Sequence, residues 1–141
     1  MREVRSIPFV LAASLLAGTA LAGCSGSMRF VSQGTEMAPN ANALIVAEID
    51  RNTSTTALNL KVDHLPPPER LGGMAFVAWA KPENDEWRRV GTLDYDPVMH
   101  RGELFGASIA RTSFDLVISA EADSYSEVPS SVVVISQDIS D

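Results

Sequence analysis

Residues 57–63 read ALNLKVD, and in this segment Leu58, Leu60 and Val62 alternate with smaller or polar residues. A period of two predicts a β-strand with one face buried and the other in water. Three consecutive prolines follow at residues 66–68. Because proline lacks the backbone donor of a sheet ladder and cannot continue a helix, the strand must end before them.

Short apolar runs separated by turn residues extend this pattern in both directions along the chain. Residues 43–49 form one such run, and residues 74–80 are apolar on both faces, which predicts a central strand. Between them, residues 65–71 can form one helical turn at most. The remaining runs are residues 87–93, 102–109, 113–120 and 132–135, and the last can extend to Ile139.

These runs amount to about seven strands in about a hundred residues, with no helical period among them. The pattern predicts an all-β fold, and we expect an immunoglobulin-like antiparallel β-sandwich. A small open barrel is the alternative arrangement.

The N-terminus has the layout of an export signal. Residues 1–5 carry a net charge of +1, and residues 6–22 are uncharged and mainly apolar. A basic end followed by an apolar core and small residues is typical of a secretory signal peptide. The apolar stretch is at the lower limit for a membrane-spanning helix, and Pro8 and Gly18 make it a poorer one.

The segment Leu21-Ala22-Gly23-Cys24 resembles the lipobox of bacterial lipoproteins, and Cys24 is the single cysteine of the chain. The resemblance implies cleavage before Cys24 and attachment of a lipid to its thiol. Because Ser25 follows, where an aspartate would retain the protein, it also implies forwarding to the outer membrane in a host with two membranes. The alternative is a plain signal peptide, or an N-terminal anchor, that happens to end at a cysteine.

We therefore divide the chain into a signal peptide (residues 1–23), the lipidated Cys24 with a flexible tether (24–42) and a β-sandwich domain (43–141). Loss of the signal leaves 118 residues and takes the formal charge from −7 to −8. That length suits one domain with its own core. The acidic balance argues against nucleic acid as a partner and against a domain that lies flat on anionic lipid.

Five segments between about residue 57 and residue 139 carry a further resemblance. They are LPPP (65–68), FVAWA (76–80), VGTL (90–93), FDLVISAE (114–121) and VPSSVVV (128–134). In this order they resemble the extracytoplasmic domain of anti-sigma-K-type factors. The resemblance implies a sandwich outside the cytoplasm that is used for contact or sensing. Binding of a sigma factor is not implied, because a signal peptide and tether stand where that family has its sigma-binding segment and spanning helix.

The sequence offers few groups for catalysis. His64 and His100 each lie in or beside a turn near an aspartate, so either could form a base or a metal ligand, but solvated loop histidines are the ordinary interpretation. No nucleophile elbow and no glycine-rich phosphate loop is present. We therefore predict no catalytic residues, no cofactor and no metal, and a protein that is not an enzyme.

Two acidic clusters, residues 83–86 and residues 94–96, could supply oxygen ligands to Ca²⁺ outside the cell. Neither has the spacing of a known calcium loop, so solvated turns are the expected role. Any site should lie on the loops that join the strands, residues 82–86 and 95–102 above all.

Trp87, Arg88 and Arg89 form the candidate interaction surface. A tryptophan beside arginines suits recognition of proteins or sugars, whereas Trp79, inside an apolar run, is expected in the core. An ordinary half-buried strand tryptophan is the alternative for Trp87.

The sequence thus predicts a lipid-anchored lipoprotein of the cell envelope, facing the periplasm, whose β-sandwich is a non-catalytic binding or scaffold module. Its predicted partners are the membrane, through lipid on Cys24, and an envelope protein. The alternative is an envelope sensor that acts with a membrane signalling partner. A hydrolase with an unrecognised site is the third hypothesis.

Overall fold

The computed structural model describes residues 25–141, and within them the protein is all-β. A 3-10 helix over Pro68–Leu71 is the one helical segment of this part of the chain. The nine described strands are β1 (Ser25–Gln33), β2 (Asn42–Asp50), β3 (Thr55–Asp63), β4 (Ala75–Lys81), β5 (Arg88–Thr92), β6 (Asp94–Asp96), β7 (Arg101–Ile109), β8 (Phe114–Glu121) and β9 (Val133–Ile139).

The strands form two separate antiparallel sheets. One sheet has five strands in the order β1-β2-β3-β7-β6, and the other has four in the order β5-β4-β8-β9. The fold is therefore two-layered and sandwich-like, and the described strands are not one sheet rolled into an open barrel. The chain passes between the layers after β3, β5 and β7.

The core between the sheets follows from the period-two patterns. Leu58, Leu60 and Val62 of β3 are completely buried, as the alternation predicted, and they pack in one cluster with Phe76 of β4 and Ile118 of β8. Each buried Leu, Ile or Val contributes about 1.5–3 kcal/mol relative to its exposed state, so this cluster is the main source of stability.

Strand β4 is central in its sheet, as its double-sided apolar pattern predicted, because β5 and β8 flank it. Its second apolar face forms a smaller cluster, with Val77 and Trp79 fully buried beside Val117 of β8. Trp79 is thus buried as expected, but it lies on the face of its sheet that points away from the main core.

The predicted flexible tether is wrong over residues 25–42. Residues 25–33 form strand β1, which pairs with β2 from Ser25–Asp50 to Gln33–Asn42. The sequence is small and polar there because β1 is an edge strand, which buries mainly one face: Phe30 packs on the core while Val31 is 73% exposed.

The predicted number of strands also needs correction, because the described residues form nine rather than about seven. The additions are β1 and the three-residue β6, where the sequence predicts a solvated acidic turn. Strand β6 pairs with β7 at the sheet edge, and an edge strand with Asp94 and Asp96 exposed carries no apolar alternation to reveal it.

The two ends of the domain differ in which loops they carry. The anchor end, named for Ser25, holds the turn at residues 51–54 and the loops at residues 82–87 and 110–113. Arg51 ties the C-terminal Asp141 to this end with two hydrogen bonds, one of 2.8 Å from Nε. The far end holds the loops at residues 34–41, 64–74 and 97–100. The loop at residues 122–132 starts at the far end, and its residues Glu127 and Val128 share a pocket with Trp87 of the anchor end.

Candidate functional site

A cleft of about 620 Å³ opens at the far end of the domain. Three loops form its walls, with residues 37–40, 64–66 and 99–100. Its size lies within the range of small-ligand pockets, and its wall is mainly apolar apart from two imidazoles and an asparagine. We refer to it as the far-end cleft.

The floor of the cleft is tied together by Leu65, Tyr95 and His100. The backbone N–H of Leu65 donates to the carbonyl of His100 at 2.9 Å, and the Tyr95 hydroxyl donates to the carbonyl of Leu65 at 2.7 Å. The Tyr95 ring packs on Phe76, with ring centroids 5.7 Å apart. Because Phe76 is a core residue, these contacts fix the floor to the rigid part of the domain.

Burial, reinforced by the negative charge of Glu69, raises the pKa of the Tyr95 phenol above its ordinary value of 10.0. The phenol therefore stays protonated at any physiological pH, and its single O–H remains available to Leu65.

Both histidines lie in this cleft, which the sequence did not predict. His64 follows β3 and His100 precedes β7, and each has a left-handed backbone, with φ of 55° and 52°. The His100 Nδ1 atom is 3.3 Å from the Tyr95 hydroxyl oxygen. Solvated loop histidines were the ordinary interpretation, and both side chains are indeed exposed, but they share one concave surface.

The loop at residues 34–41 forms the opposite wall and is well ordered by its hydrogen bonds. Thr35 donates from its backbone N–H to Val134 at 2.9 Å and from its hydroxyl to Val133 at 2.5 Å. Gly34 must lack a side chain, because a Cβ there would lie 1.8 Å from the carbonyl oxygen of Ala38. The wall therefore has a defined shape that presents Met37 to the cleft.

An acidic rim adjoins the cleft on the side of β6. Asp94, Asp96 and Glu103 line a small neighbouring pocket of about 150 Å³, and Met99 belongs to both the pocket and the cleft. Asp96 accepts hydrogen bonds from the backbone of Val98 and Met99 at 2.9 and 3.1 Å. These two hydrogen bonds stabilise the turn that follows β6. Calcium binding by residues 94–96 stays a hypothesis.

Asp63 of the same region accepts a hydrogen bond of 2.6 Å from Arg101 Nε, and this bond raises the pKa of the guanidinium above its ordinary value. The pair joins the last residue of β3 to the first residue of β7, next to His64 and His100 respectively.

The three residues of the predicted interaction surface, 87–89, each make a different contact within the domain. Trp87 is half-buried against the outer cluster, with Lys81 Nζ 5.9 Å from its ring centroid. Arg88 pairs with Asp85 at 2.9 Å. Arg89 lies over the Trp79 ring at 5.4 Å. These contacts account for the three side chains structurally, and an interaction role for them stays a prediction.

The other predicted acidic cluster, residues 83–86, is engaged by arginines through Asp85. Its carboxylate pairs with Arg88 at 2.9 Å and with Arg111 at 3.2 Å. The backbone N–H of Glu86, followed by these two arginines, lowers the pKa of Asp85 below 3.8 although desolvation opposes the change.

A buried polar network on the outer face of the second sheet was missed by the sequence analysis. The Trp79 indole donates to Ser119 Oγ at 2.9 Å, and Ser119 donates to Glu121 Oε1 at 2.7 Å. The backbone of Ser130 donates to the same Glu121 oxygen at 2.7 Å. The network holds the loop at residues 122–132 over the sheet. The polar Ser119 and Glu121, two apart on an apolar strand, were the available signal.

Comparisons with known proteins give no relative: no family model, no curated protein and no solved structure matches the chain. The likeness to anti-sigma-K-type factors therefore stays a prediction.

Cys24 and the rest of the lipobox lie outside the described residues. Within residues 25–141, no helix is long and apolar enough to cross a membrane. The same residues contain no group of three or more His, Cys, Asp or Glu side chains placed to hold a metal ion.

Proposed function

We propose that this protein is a lipid-anchored lipoprotein of the cell envelope, and that its domain is a non-catalytic binding module that uses the far-end cleft. The observation that carries the proposal is that the lipobox cysteine and the far-end cleft lie next to opposite ends of strand β1. Strand β1 starts at Ser25, next to the lipobox cysteine, and ends at Gln33, from which the next loop enters the cleft wall.

This arrangement suits an anchored receptor or scaffold. A nine-residue strand spans about 30 Å, so lipid on Cys24 would leave the cleft about that far from the membrane surface. Because β1 begins at the residue after Cys24, no long linker separates the anchor from the domain. A lipid on Cys24 would therefore restrict reorientation of the domain relative to the membrane. The formal charge of −8 after cleavage also disfavours contact with anionic lipid, so the cleft would face the periplasm.

The strand order supports an immunoglobulin-like assignment within this proposal. The order β2-β3-β7-β6 against β4-β8-β9 corresponds to the ABED and CFG sheets of an immunoglobulin constant domain. Strands β1 and β5 are then additions at the edges. Such domains are used widely as binding modules, and their end loops are the usual place for a site.

The anchor is tested by the intact mass and the fractionation of the full chain expressed in a bacterial host. We expect a mature protein that begins at Cys24, carries acyl groups and sediments with membranes. The Cys24→Ser variant keeps the size of the side chain but lacks the thiol, and we expect it to be released or left unprocessed. A mature wild-type protein without acyl groups would overturn the proposal.

The binding role is tested by a photocrosslinking residue at position 99, in the cleft, with position 48 on the exposed face of β2 as the control. We expect adducts from position 99 that position 48 does not give. Capture of a membrane signalling protein would favour the sensor hypothesis. Equal or absent adducts from an anchored, folded protein would contradict a binding role for the cleft.

A further inference from the structure

We propose that the far-end cleft is a binding site for Cu(I), with His64, His100, Met37 and Met99 as its ligands. This rests on the proposed binding role of the cleft and names the ligand. The four side chains line one cleft although they come from three separate loops. Thioether and imidazole together form a soft donor set, which selects Cu(I) over hard cations.

His100 has its ring orientation and tautomer set by Tyr95. A hydroxyl has one proton, and the Tyr95 proton is used in the 2.7 Å bond to the Leu65 carbonyl. The contact of 3.3 Å with His100 must then be donated by His100 Nδ1–H to the tyrosine oxygen. In the neutral ring this leaves the lone pair on Nε2, which is the arrangement of a metal-ligating histidine with an outer hydrogen bond.

Pairing of β3 with β7 brings His64 and His100 to the same cleft. The last regular pair is Val62 with Gly102, so His64 follows the end of one strand and His100 precedes the start of the other. The 2.6 Å pair of Asp63 and Arg101 closes the ladder next to them. Beyond it, the 2.9 Å bond from the Leu65 N–H to the His100 carbonyl joins the two segments again, one residue out of the register of that last pair. Both imidazoles therefore line the cleft from backbones that are fixed close by.

The two methionines are held by their backbones while their side chains remain accessible. Met37 donates its N–H to Thr35 Oγ1 at 3.2 Å, and Met99 donates to Asp96 Oδ1 at 3.1 Å. Met37 is 49% exposed and Met99 is 56% exposed, so neither is a core residue. Flexible thioethers on fixed loops can close on an ion that enters from solvent.

The surroundings of the cleft favour a cation. Asp94, Asp96 and Glu103 line the adjoining pocket, where Arg101 is the opposing charge. Arg101 is itself paired with Asp63. The single cysteine of the chain is Cys24, which the proposed lipid would occupy, so imidazole and thioether are the softest donors left to the domain.

The test uses the full chain purified in detergent, titrated anaerobically with Cu(I) in competition with a chromogenic Cu(I) chelator. We expect one equivalent to be withdrawn from the chelator by the wild type. In the Met37→Leu/Met99→Leu variant, which nearly conserves volume, we expect affinity to fall by at least about tenfold. His100→Gln should weaken binding similarly, and His64→Gln/His100→Gln should abolish it. Met74→Leu is the matched control, since Met74 is 76% exposed outside the cleft, and should bind as the wild type does.

Failure of the wild type to compete would overturn the proposal, as would equal affinity in the Met37→Leu/Met99→Leu variant. X-ray absorption of the loaded protein must show both sulfur and nitrogen neighbours, and nitrogen alone would also contradict it. Crosslinking from position 99, together with a wild type that does not bind Cu(I), would remove this inference and leave the proposed function standing.

Discussion

His64 and His100 lie just beyond the last pair of the β3–β7 ladder, Val62–Gly102, and line the same cleft. The two residues are far apart in sequence, and pairing of the strands brings them to one cleft. Tyr95 joins them to the core through Leu65 and Phe76. The candidate site is thus a product of strand register, supported by contacts that can each be tested.

In the proposed site the Tyr95 oxygen accepts from His100 Nδ1–H. Replacing Tyr95 by Phe removes that oxygen, so the neutral imidazole should lose its preference for the Nδ1–H tautomer. Outer hydrogen-bond partners of ligating histidines usually contribute about 10–100-fold to metal affinity, and we expect a loss of Cu(I) affinity of that size. Nitrogen NMR of the histidine ring measures the tautomer directly. A change in stability alone, with tautomer and affinity as in the wild type, would show that Tyr95 has only a structural role.

Replacing Ser119 by Ala should destabilise the domain by about 1–3 kcal/mol, because the buried Trp79 indole loses its acceptor and Glu121 loses a donor. Urea unfolding measures the change. Ser108→Ala, at an exposed position of β7, is the control and should stay within about 0.5 kcal/mol of the wild type. We also expect faster hydrogen exchange at Ser130, and equal stability of the two variants would argue against the network.

Replacing Gly34 by Ala should cost about 1–3 kcal/mol or more, since the new Cβ would overlap the backbone of Ala38. Gly26→Ala, on strand β1, is the matched control, because a Cβ there meets nothing within 4 Å. Thermal unfolding compares them. If both variants unfold at the wild-type temperature, the loop at residues 34–41 does not have the described conformation.

Acid stability should depend on Asp85, Asp123 and Asp141. Their pKa values lie below 3.8, chiefly because of hydrogen bonds from the backbone of Glu86, the backbone of Tyr125 and the side chain of Arg51, respectively. A carboxyl with a lowered folded pKa adds stability above its unfolded pKa and loses it as the pH falls through the folded value. We therefore expect these contributions to be constant near neutrality and to disappear below about pH 4.

Urea unfolding midpoints measured from neutral pH to below about pH 4 test where these contributions are lost. In Asp85→Asn the loss of stability on acidification should be shallower than in the wild type, because one titrating group is gone. An Asp85→Asn profile that runs parallel to the wild type would contradict the assigned role of Asp85.

The sequence predicted strands well where a buried face imposes alternation. Strands β2, β3, β4 and β8 match the expected runs closely. Their inward-facing positions are buried in the core, so these positions must be apolar and the pattern is visible in the sequence. Strand β1 was missed because its sequence is small and polar, and its assignment depends on pairing with β2, which is a non-local interaction. Strand β6 is too short and too acidic to carry a pattern.

The candidate site was predictable only in part. The loop at residues 95–102 was expected to hold any site, and it does line the cleft. His64 and His100 line one cleft because β3 pairs with β7, and no local pattern specifies that pairing. The adjacent Met99 and His100 were the one local signal for a soft donor set. The sequence predicted that Arg89 lies on a recognition surface. In the structure Arg89 packs over the buried Trp79 on the outer face of the second sheet, and it does not line the far-end cleft.

Lipid crosslinking tests whether the anchor and the cleft lie at opposite ends of the domain. A photoactivatable residue is placed at position 52, in the exposed turn of the anchor end, or at position 99, in the cleft, and the full chain is irradiated in intact envelopes. We predict lipid adducts from position 52 and none from position 99. Lipid adducts from position 99, or none from position 52 in a protein shown to carry lipid on Cys24, would contradict this placement of the two ends.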